Sequence, residues 1–145
     1  MKYLGIDHGN VRIGVAISDP TGLLARPLRI VKHISRPEDA AALAKIAREE
    51  GCQAIVVGLP LDADGSLGFR ARSVKRFIEE LQCQTDLLVI GWDESHSTQH
   101  ALQASISRGE GKKKRQEAMD DQAAAIILQD YLNNHYEQGN NEVYP

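Results

Sequence analysis

The chain has 145 residues, enough for one compact domain with a single hydrophobic core but too few for two full lobes. Its 17 basic and 20 acidic side chains nearly balance, which excludes a global attraction to nucleic acid or to a membrane surface. Because no apolar run could cross a bilayer and no signal peptide is recognisable, a cytoplasmic protein with no membrane partner is expected.

The first predicted element is a β-hairpin with an acid at its tip. Apolar residues end at Asp7, the turn HGN follows, and apolar residues then alternate over 11–17. The segment LLARPLRIV (23–31) predicts a third strand of an antiparallel meander, in which Pro27 fits only at a sheet edge or a bulge. An aspartate at a turn is common, so Asp7 alone does not indicate a site.

The rest of the chain alternates predicted helices and buried strands. Ser35 and Glu38 form a capping box that predicts a helix of about 13 residues, closed by Gly51. The further predicted elements are a strand over 53–60, a helix over roughly 66–82, a strand over 86–92, a helix over 98–108 and a final helix over 117–134. This order predicts an α/β fold, a five-stranded sheet that is antiparallel at first and parallel later, with helices on both faces. We expect one domain over 1–134 and a polar, frayed tail over 135–145.

Acidic residues follow the predicted parallel strands. Asp7 and Glu94 both stand at such ends, where ligands gather in α/β sheets, and they converge if their strands are neighbours. In the final helix Asp120 and Asp121 compete for a third position. At 100° per residue, the apolar stripe of the helix centres roughly 30° from Asp120 and roughly 70° from Asp121, which favours Asp120. The role of Asp93, beside Glu94, stays open.

Three carboxylates in one small site raise one another's pKa unless a cation lies between them. A hard divalent ion, Mg²⁺ or Mn²⁺, is the natural partner, since it takes oxygen ligands and substrate phosphate. Two such ions about 3.5 to 4 Å apart could hold a phosphodiester and activate a water molecule. The acids would then be metal ligands rather than general acids.

Three motifs resemble the YqgF/RuvX family of ribonuclease H-like nucleases. The stretch GIDHGNVRIGVAISD is similar to the family's opening GxDxGxxRIGVAxSD, and IVVGLPLDADGSLGFRA and MDDQAAAIILQDYL resemble two later motifs. The resemblance implies a ribonuclease H-like fold and metal-dependent phosphodiester cleavage, with Asp7, Glu94 and Asp120 as catalytic metal ligands. It also implies maturation of the 5′ end of the 16S ribosomal RNA precursor, with Holliday-junction resolution as an older proposal.

One motif departs from the family pattern. Family members usually read DERxTT after the fifth strand, whereas this chain reads DESHST, so Ser95 and His96 replace an arginine and its neighbour. The missing arginine removes a phosphate contact or an ion pair, and whether activity is reduced or lost stays open. His96 and His100 have a spacing that can hold a transition metal, but two exposed histidines are the simpler interpretation.

Local basic residues could hold a nucleic acid. Lys112, Lys113, Lys114 and Arg115 precede Asp120 in a glycine-bearing stretch, GEGKKKRQ, and would lie at the rim of the site unless they form a solvated loop. Arg12 lies near Asp7 in the opening motif and is favoured as a site residue. Arg70, Arg72, Lys75 and Arg76 form a second basic face that is not assigned to the site. Structured RNA is the favoured partner and branched DNA is possible; the oligomeric state stays open.

Two other classes of protein compete with the nuclease. GIDHGN also resembles the first phosphate loop of actin-like and sugar-kinase ATPases, but those enzymes clamp nucleotide between two lobes. The third class is a noncatalytic RNA-binding or ribosome assembly factor that keeps the fold without the chemistry. Metal-dependent cleavage separates the nuclease from this factor, and stabilisation by nucleotide would indicate the ATPase-like protein.

Overall fold

The computed structural model describes residues 1–62, 64–94 and 112–137, with the backbone alone described for 112–121 and 136–137. In chain order the described elements are β1 (Tyr3–His8), β2 (Arg12–Ser18), β3 (Ala25–Lys32), α1 (Arg36–Glu49), β4 (Ala54–Leu59), α2 (Phe69–Gln84), β5 (Leu88–Asp93) and α3 (Lys112–Glu137). The helix predicted over 98–108 lies outside the described residues. No helix in the described ranges is long and apolar enough to cross a membrane.

The strands form one mixed sheet in the order β3-β2-β1-β4-β5. β1, β2 and β3 pair antiparallel, whereas β4 and β5 run parallel to β1. The predicted meander followed by parallel strands is confirmed. The two acids at strand ends are not on neighbouring strands, however, because β4 lies between β1 and β5.

Pro27 lies at a position in the sheet where a backbone N–H donor is not needed. β3 forms one edge of the sheet, and its pairing with β2 shifts register between Val15 and Ala16, the residue opposite Pro27. Proline cannot donate to a ladder, so it is restricted to edges and bulges, and this strand offers both. The prediction for this residue is confirmed.

Side chains along each strand point alternately to the two faces of the sheet, and each face carries its own apolar core. On β1, Leu4 and Ile6 pack in the cluster formed with α1 and α2, while Tyr3 packs in the cluster formed with α3. Successive side chains of a strand point to opposite faces, so Asp7 shares the α3 face with Tyr3, and His8 shares the other face with Ile6. Helices therefore cover both faces, as predicted.

The capping box gives α1 its first turn. The Ser35 side chain accepts a hydrogen bond from the amide of Glu38 at 3.3 Å, and Pro37 occupies the first turn, where no intrahelical donor is needed. The buried side of α1 carries Leu43, Ile46 and several alanines against the sheet. This helix is confirmed, and it begins at Arg36.

The helix α3 runs antiparallel to β1 and lies very close to it. The Tyr3 ring packs edge-on against Tyr131, with ring centroids 5.6 Å apart, near the end of α3. Two residues along the strand, a Cβ placed on Gly5 would lie 2.7 Å from the Leu128 Cβ and 3.2 Å from the Ala124 carbonyl oxygen. From the N-terminal to the C-terminal end of β1, the α3 residues that contact the strand therefore come progressively earlier in the sequence.

Gly5→Ala is expected to lower the free energy of unfolding by about 1–3 kcal/mol, because the added methyl group forces the helix away from the strand. Urea denaturation measures the loss. Gly91→Ala is the matched control: it is also a strand glycine, but the nearest atom to its added Cβ is the end of the Ile78 side chain at 3.4 Å. Equal losses in both variants would contradict close packing of α3 on β1.

Candidate active site

Asp7 lies within β1 rather than in the turn after it. It pairs with Gly14 of β2 in the antiparallel register, and the strand continues to His8. The side chain is half-buried on the α3 face. The turn therefore begins after His8, and the Asp7 side chain projects from a backbone that is paired with β2.

Glu94 follows β5 directly and extends its ladder. Its amide donates to the Leu59 carbonyl oxygen at 3.2 Å, and the residue is 5% exposed. The carboxylate lies over β4 beside Gly58: a Cβ there would be 2.6 Å from the Glu94 Oε2 and 2.7 Å from the Ile127 Cδ1. Only glycine leaves room for this carboxylate between the sheet and α3.

The space above Gly58 lets two acids meet across a strand. The Glu94 and Asp7 side chains are hydrogen-bonded to each other although β4 separates their strands. Burial of Glu94, together with the charge and hydrogen bond of Asp7, raises the pKa of Glu94 to about 8. Two carboxylates held this close repel each other when both are charged, and a metal ion bound between them would remove that repulsion.

One oxygen of Glu94 has no partner. Its Oε2 atom is buried and accepts no hydrogen bond in the part of the chain that the structure describes. An unsatisfied buried oxygen is destabilising by about 1–3 kcal/mol or more when charged, so it demands a functional explanation. Together with Asp7 it supplies the oxygen-only donor set that hard divalent cations prefer, and the residues therefore fit such an ion.

The raised pKa of Glu94 predicts a pH dependence of stability in chelator-treated protein. The pKa of Glu94 rises on folding from its ordinary 4.5 to about 8, so its stabilising contribution is complete below about 4.5 and is lost as the pH rises through about 8. The melting temperature is therefore expected to fall across this window, and Glu94→Gln is expected to flatten the fall. Differential scanning fluorimetry in EDTA measures both slopes. Glu79→Gln, at an exposed position of α2, is the matched control; a slope unchanged by Glu94→Gln would disprove the assignment.

One arginine acts on the acid pair, and another follows the turn after β1. Arg70, at the start of α2, donates to the carbonyl oxygen of His8 at 3.3 Å, and its charge acts to lower the pKa of Glu94. Arg12 begins β2, half-buried, just after the turn that follows Asp7. The sequence interpretation did not assign Arg70 to the site, and the structure places its guanidinium at the end of β1.

The other acids take different positions. Asp93 is exposed, and strand alternation directs it to the face opposite Trp92, which donates to Asp130 of α3 at 2.8 Å. Asp120 and Asp121 both lie in the helical backbone of α3, and their side chains are outside the described set. Asp120 stands one helical turn before Ala124, which contacts Gly5.

The basic cluster lies in a helix. Lys112, Lys113, Lys114 and Arg115 belong to α3, whereas the sequence placed them in a glycine-bearing stretch before the helix. The correction has a physical reason: lysine and arginine are good helix formers, and the glycines of GEGKKKRQ all precede them.

Sequence reasoning missed Gly58 altogether. The signal was present, since a glycine near the end of the apolar run IVVGLP is typical of a close approach by another group. Its role depends on β4 lying between the acid-bearing strands, which the order of elements along the chain does not specify.

The described fold is shared with solved nucleases. RuvC of Thermus thermophilus in complex with a Holliday junction substrate superposes with a TM-score of 0.57 at 17% identity, covering 96% of each chain. The fowlpox virus Holliday junction resolvase gives a TM-score of 0.54 at 16% identity, covering 92% of this chain and 99% of that one. Sheet order and these superpositions thus define a protein with the ribonuclease H-like fold.

Sequence comparison identifies the family within this class. Residues 1–134 match the RuvX family, which is described as Holliday junction resolvase. A relative from Synechococcus sp. (strain JA-3-3Ab), named as a proposed pre-16S rRNA nuclease, is 44% identical over 129 residues, covering 89% of this chain and 81% of that protein. The chain belongs to the RuvX family and is a nucleic-acid-hydrolysing enzyme, as predicted.

Proposed function

We propose that the chain is a divalent-metal-dependent endonuclease of the cytoplasm that matures the 5′ end of the 16S ribosomal RNA precursor. The observation that carries the proposal is the buried contact between Asp7 and Glu94 across Gly58. The charge of Asp7 raises the pKa of Glu94, and a divalent cation bound by both carboxylates would remove the repulsion between them.

Asp7 and Glu94 would hold Mg²⁺ or Mn²⁺, with Asp120 as the third ligand. Tyr3 packs on Tyr131, and Gly5 packs on Ala124 and Leu128. Asp7 lies two residues beyond Gly5 on the same face of β1, so it lies opposite a turn of α3 that comes earlier in the chain. Two strand residues advance about 6.6 Å and four helix residues about 6 Å, which matches Asp7 to the turn containing Asp120. Asp121 is rotated about 100° from that position.

The residues around the acids shape the reaction. Such an ion, when bound, supplies Lewis-acid chemistry and a nucleophilic water at neutral pH. Glu94 and Asp7 present carboxylate oxygens in a fixed orientation, because their backbones lie in or directly beside paired strands. Ile127 of α3 lies beside the Glu94 carboxylate above Gly58, since its Cδ1 and the Glu94 Oε2 are both within 2.7 Å of a Cβ placed on that glycine. Arg70 adds positive charge near the end of β1, where a phosphate would approach.

Further cations would bind the nucleic-acid backbone. Arg12 follows the turn beside Asp7, and Lys112, Lys113, Lys114 and Arg115 precede Asp120 in α3. Contacts of this kind add affinity without reading sequence, and they weaken as salt rises. They compensate for an overall charge of −3, which gives no general attraction to a polyanion.

The choice of RNA as the substrate rests on the names of the relatives. Relatives that are 33–44% identical to this chain are named as proposed pre-16S rRNA nucleases. A second candidate substrate, the four-way DNA junction, is favoured by the description of the matching family as Holliday junction resolvase. A resolvase needs two paired active sites, so a monomer in solution would favour RNA processing.

A comparison of substrates tests the proposal. Precursor rRNA, unstructured single strands and four-way DNA junctions are incubated with the protein, with Mg²⁺ or Mn²⁺ and with EDTA. We expect metal-dependent cleavage of the precursor near the mature 5′ end. Preferred cleavage of junctions would move the assignment to the second candidate. Binding of precursor with no cleavage under any condition would overturn the enzyme and indicate an assembly factor.

A further inference from the structure

A second group of metal-ligating side chains lies behind the candidate active site. His8, His33 and Asp39 each offer a ligand atom, and these atoms all lie within 4.8 Å of one another. His8 is adjacent to Asp7 in sequence but points to the opposite face of β1, toward α1 and α2. The group is therefore separated from the acid pair by the sheet itself.

Each member of this group is held by its surroundings. The His8 ring stacks on Phe77, with centroids 4.4 Å apart. Asp39 is 1% exposed, and its Oδ1 accepts the amide of Ile34 at 2.9 Å, which leaves Oδ2 directed at the His33 Nδ1 at 2.5 Å. A buried carboxylate oriented by a backbone donor beside two imidazoles is typical of a preorganised metal site.

The site is open on one side. A cavity of about 370 Å³ adjoins it and is lined by His8, Asn10, His33, Ser35, Arg36 and Ser73. This cavity provides a path of entry and room for a water molecule or an anion as a fourth ligand. Arg36 at its wall disfavours a cation, and the negative charge of Asp39 offsets that effect.

We propose that His8, His33 and Asp39 bind a transition-metal ion, with Zn²⁺ the best match. Two imidazoles and one carboxylate with an open fourth position form a common zinc ligand set, whereas Mg²⁺ does not select imidazole. Ligands of a tetrahedral zinc lie about 3.3 Å apart, so His33 and Asp39 separate by about 1 Å and exchange their hydrogen bond for the ion. The ion would join the end of β1, the loop after β3 and the first turn of α1.

Zinc titration of the metal-free protein tests this site. Isothermal titration calorimetry is carried out with excess Mg²⁺, which occupies the carboxylate pair, and in a Cys83→Ser background, which removes the exposed thiol. We expect one Zn²⁺ per chain and a rise in melting temperature on binding. Visible absorption of the Co²⁺-loaded protein is expected to indicate tetrahedral coordination. Absence of saturable binding would overturn the proposal.

The variants locate the ion. His8→Phe keeps the stack on Phe77 without a ligand, and His33→Gln changes a half-exposed position; each is expected to weaken Zn²⁺ binding at least tenfold. If one of these two variants fails to fold, zinc binding by the other variant still tests the site. The double variant His96→Gln/His100→Gln is the matched control and is expected to bind as the parent does. Loss of binding in the control alone would place the ion elsewhere and refute the site.

Discussion

Asp7→Asn is expected to abolish metal-dependent cleavage, with a loss of about a thousandfold or more in rate. The substitution removes a carboxylate that would hold the ion, and metal stabilisation of the reacting phosphate is worth several kcal/mol. The fold should be retained, because Asn is nearly isosteric and the change removes repulsion between Asp7 and Glu94. Single-turnover cleavage of the best substrate, with circular dichroism on the same preparation, measures both effects.

The control for this variant is another aspartate of the same chain. Asp86 is exposed just before β5, at the end of the sheet opposite the acids, so Asp86→Asn should cleave at the parent rate. Cleavage by Asp7→Asn at the parent rate would rule out the site. A higher melting temperature of Asp7→Asn in EDTA would add independent support, since it would show that the apo site is strained.

Gly58→Ala is expected to reduce cleavage by about a hundredfold or more with a smaller effect on folding. The new methyl group would lie 2.6 Å from the Glu94 Oε2 and must push the carboxylate off its position. A displacement of about 1 Å in a catalytic group can lower a rate by about a hundredfold. Cleavage rates at saturating metal, compared with rates at limiting metal, measure whether added ion recovers the geometry.

Gly91→Ala on the neighbouring strand is the matched control for this substitution. Its added Cβ meets only the Ile78 and Leu59 side chains, on the face away from the acids, so activity should be preserved. If Gly58→Ala retains full activity, the two acids do not need the space above β4. The site would then have to be built from other residues.

The elements of the fold could be predicted because their signals are local. Alternating residues give β2, and the pair of Ser35 and Glu38 gives the start of α1, with no knowledge of distant contacts. Placement of Asp7 and Glu94 at the carboxyl edge follows from the same patterns. Their contact does not, because it depends on β4 being inserted between β1 and β5 and on Gly58 lying at the crossing point.

Two other features could not be predicted from the sequence for a related reason. The sequence identified Arg70 as basic but could not show that α2 begins beside the end of β1. Nor could it bring His33 and Asp39 next to His8, since the loop after β3 and the first turn of α1 meet β1 only in three dimensions. Such long-range pairings are set by packing rather than by local preference.

The closeness of α3 to the sheet also makes the surroundings of Glu94 depend on the far end of the described chain. The helix places Ile127 beside the Glu94 carboxylate above Gly58, although α3 comes last among the described elements and its partners on β1 come first. Undocking of this helix would therefore hydrate Glu94 and remove the burial that raises its pKa, although both acid-bearing strands stay paired.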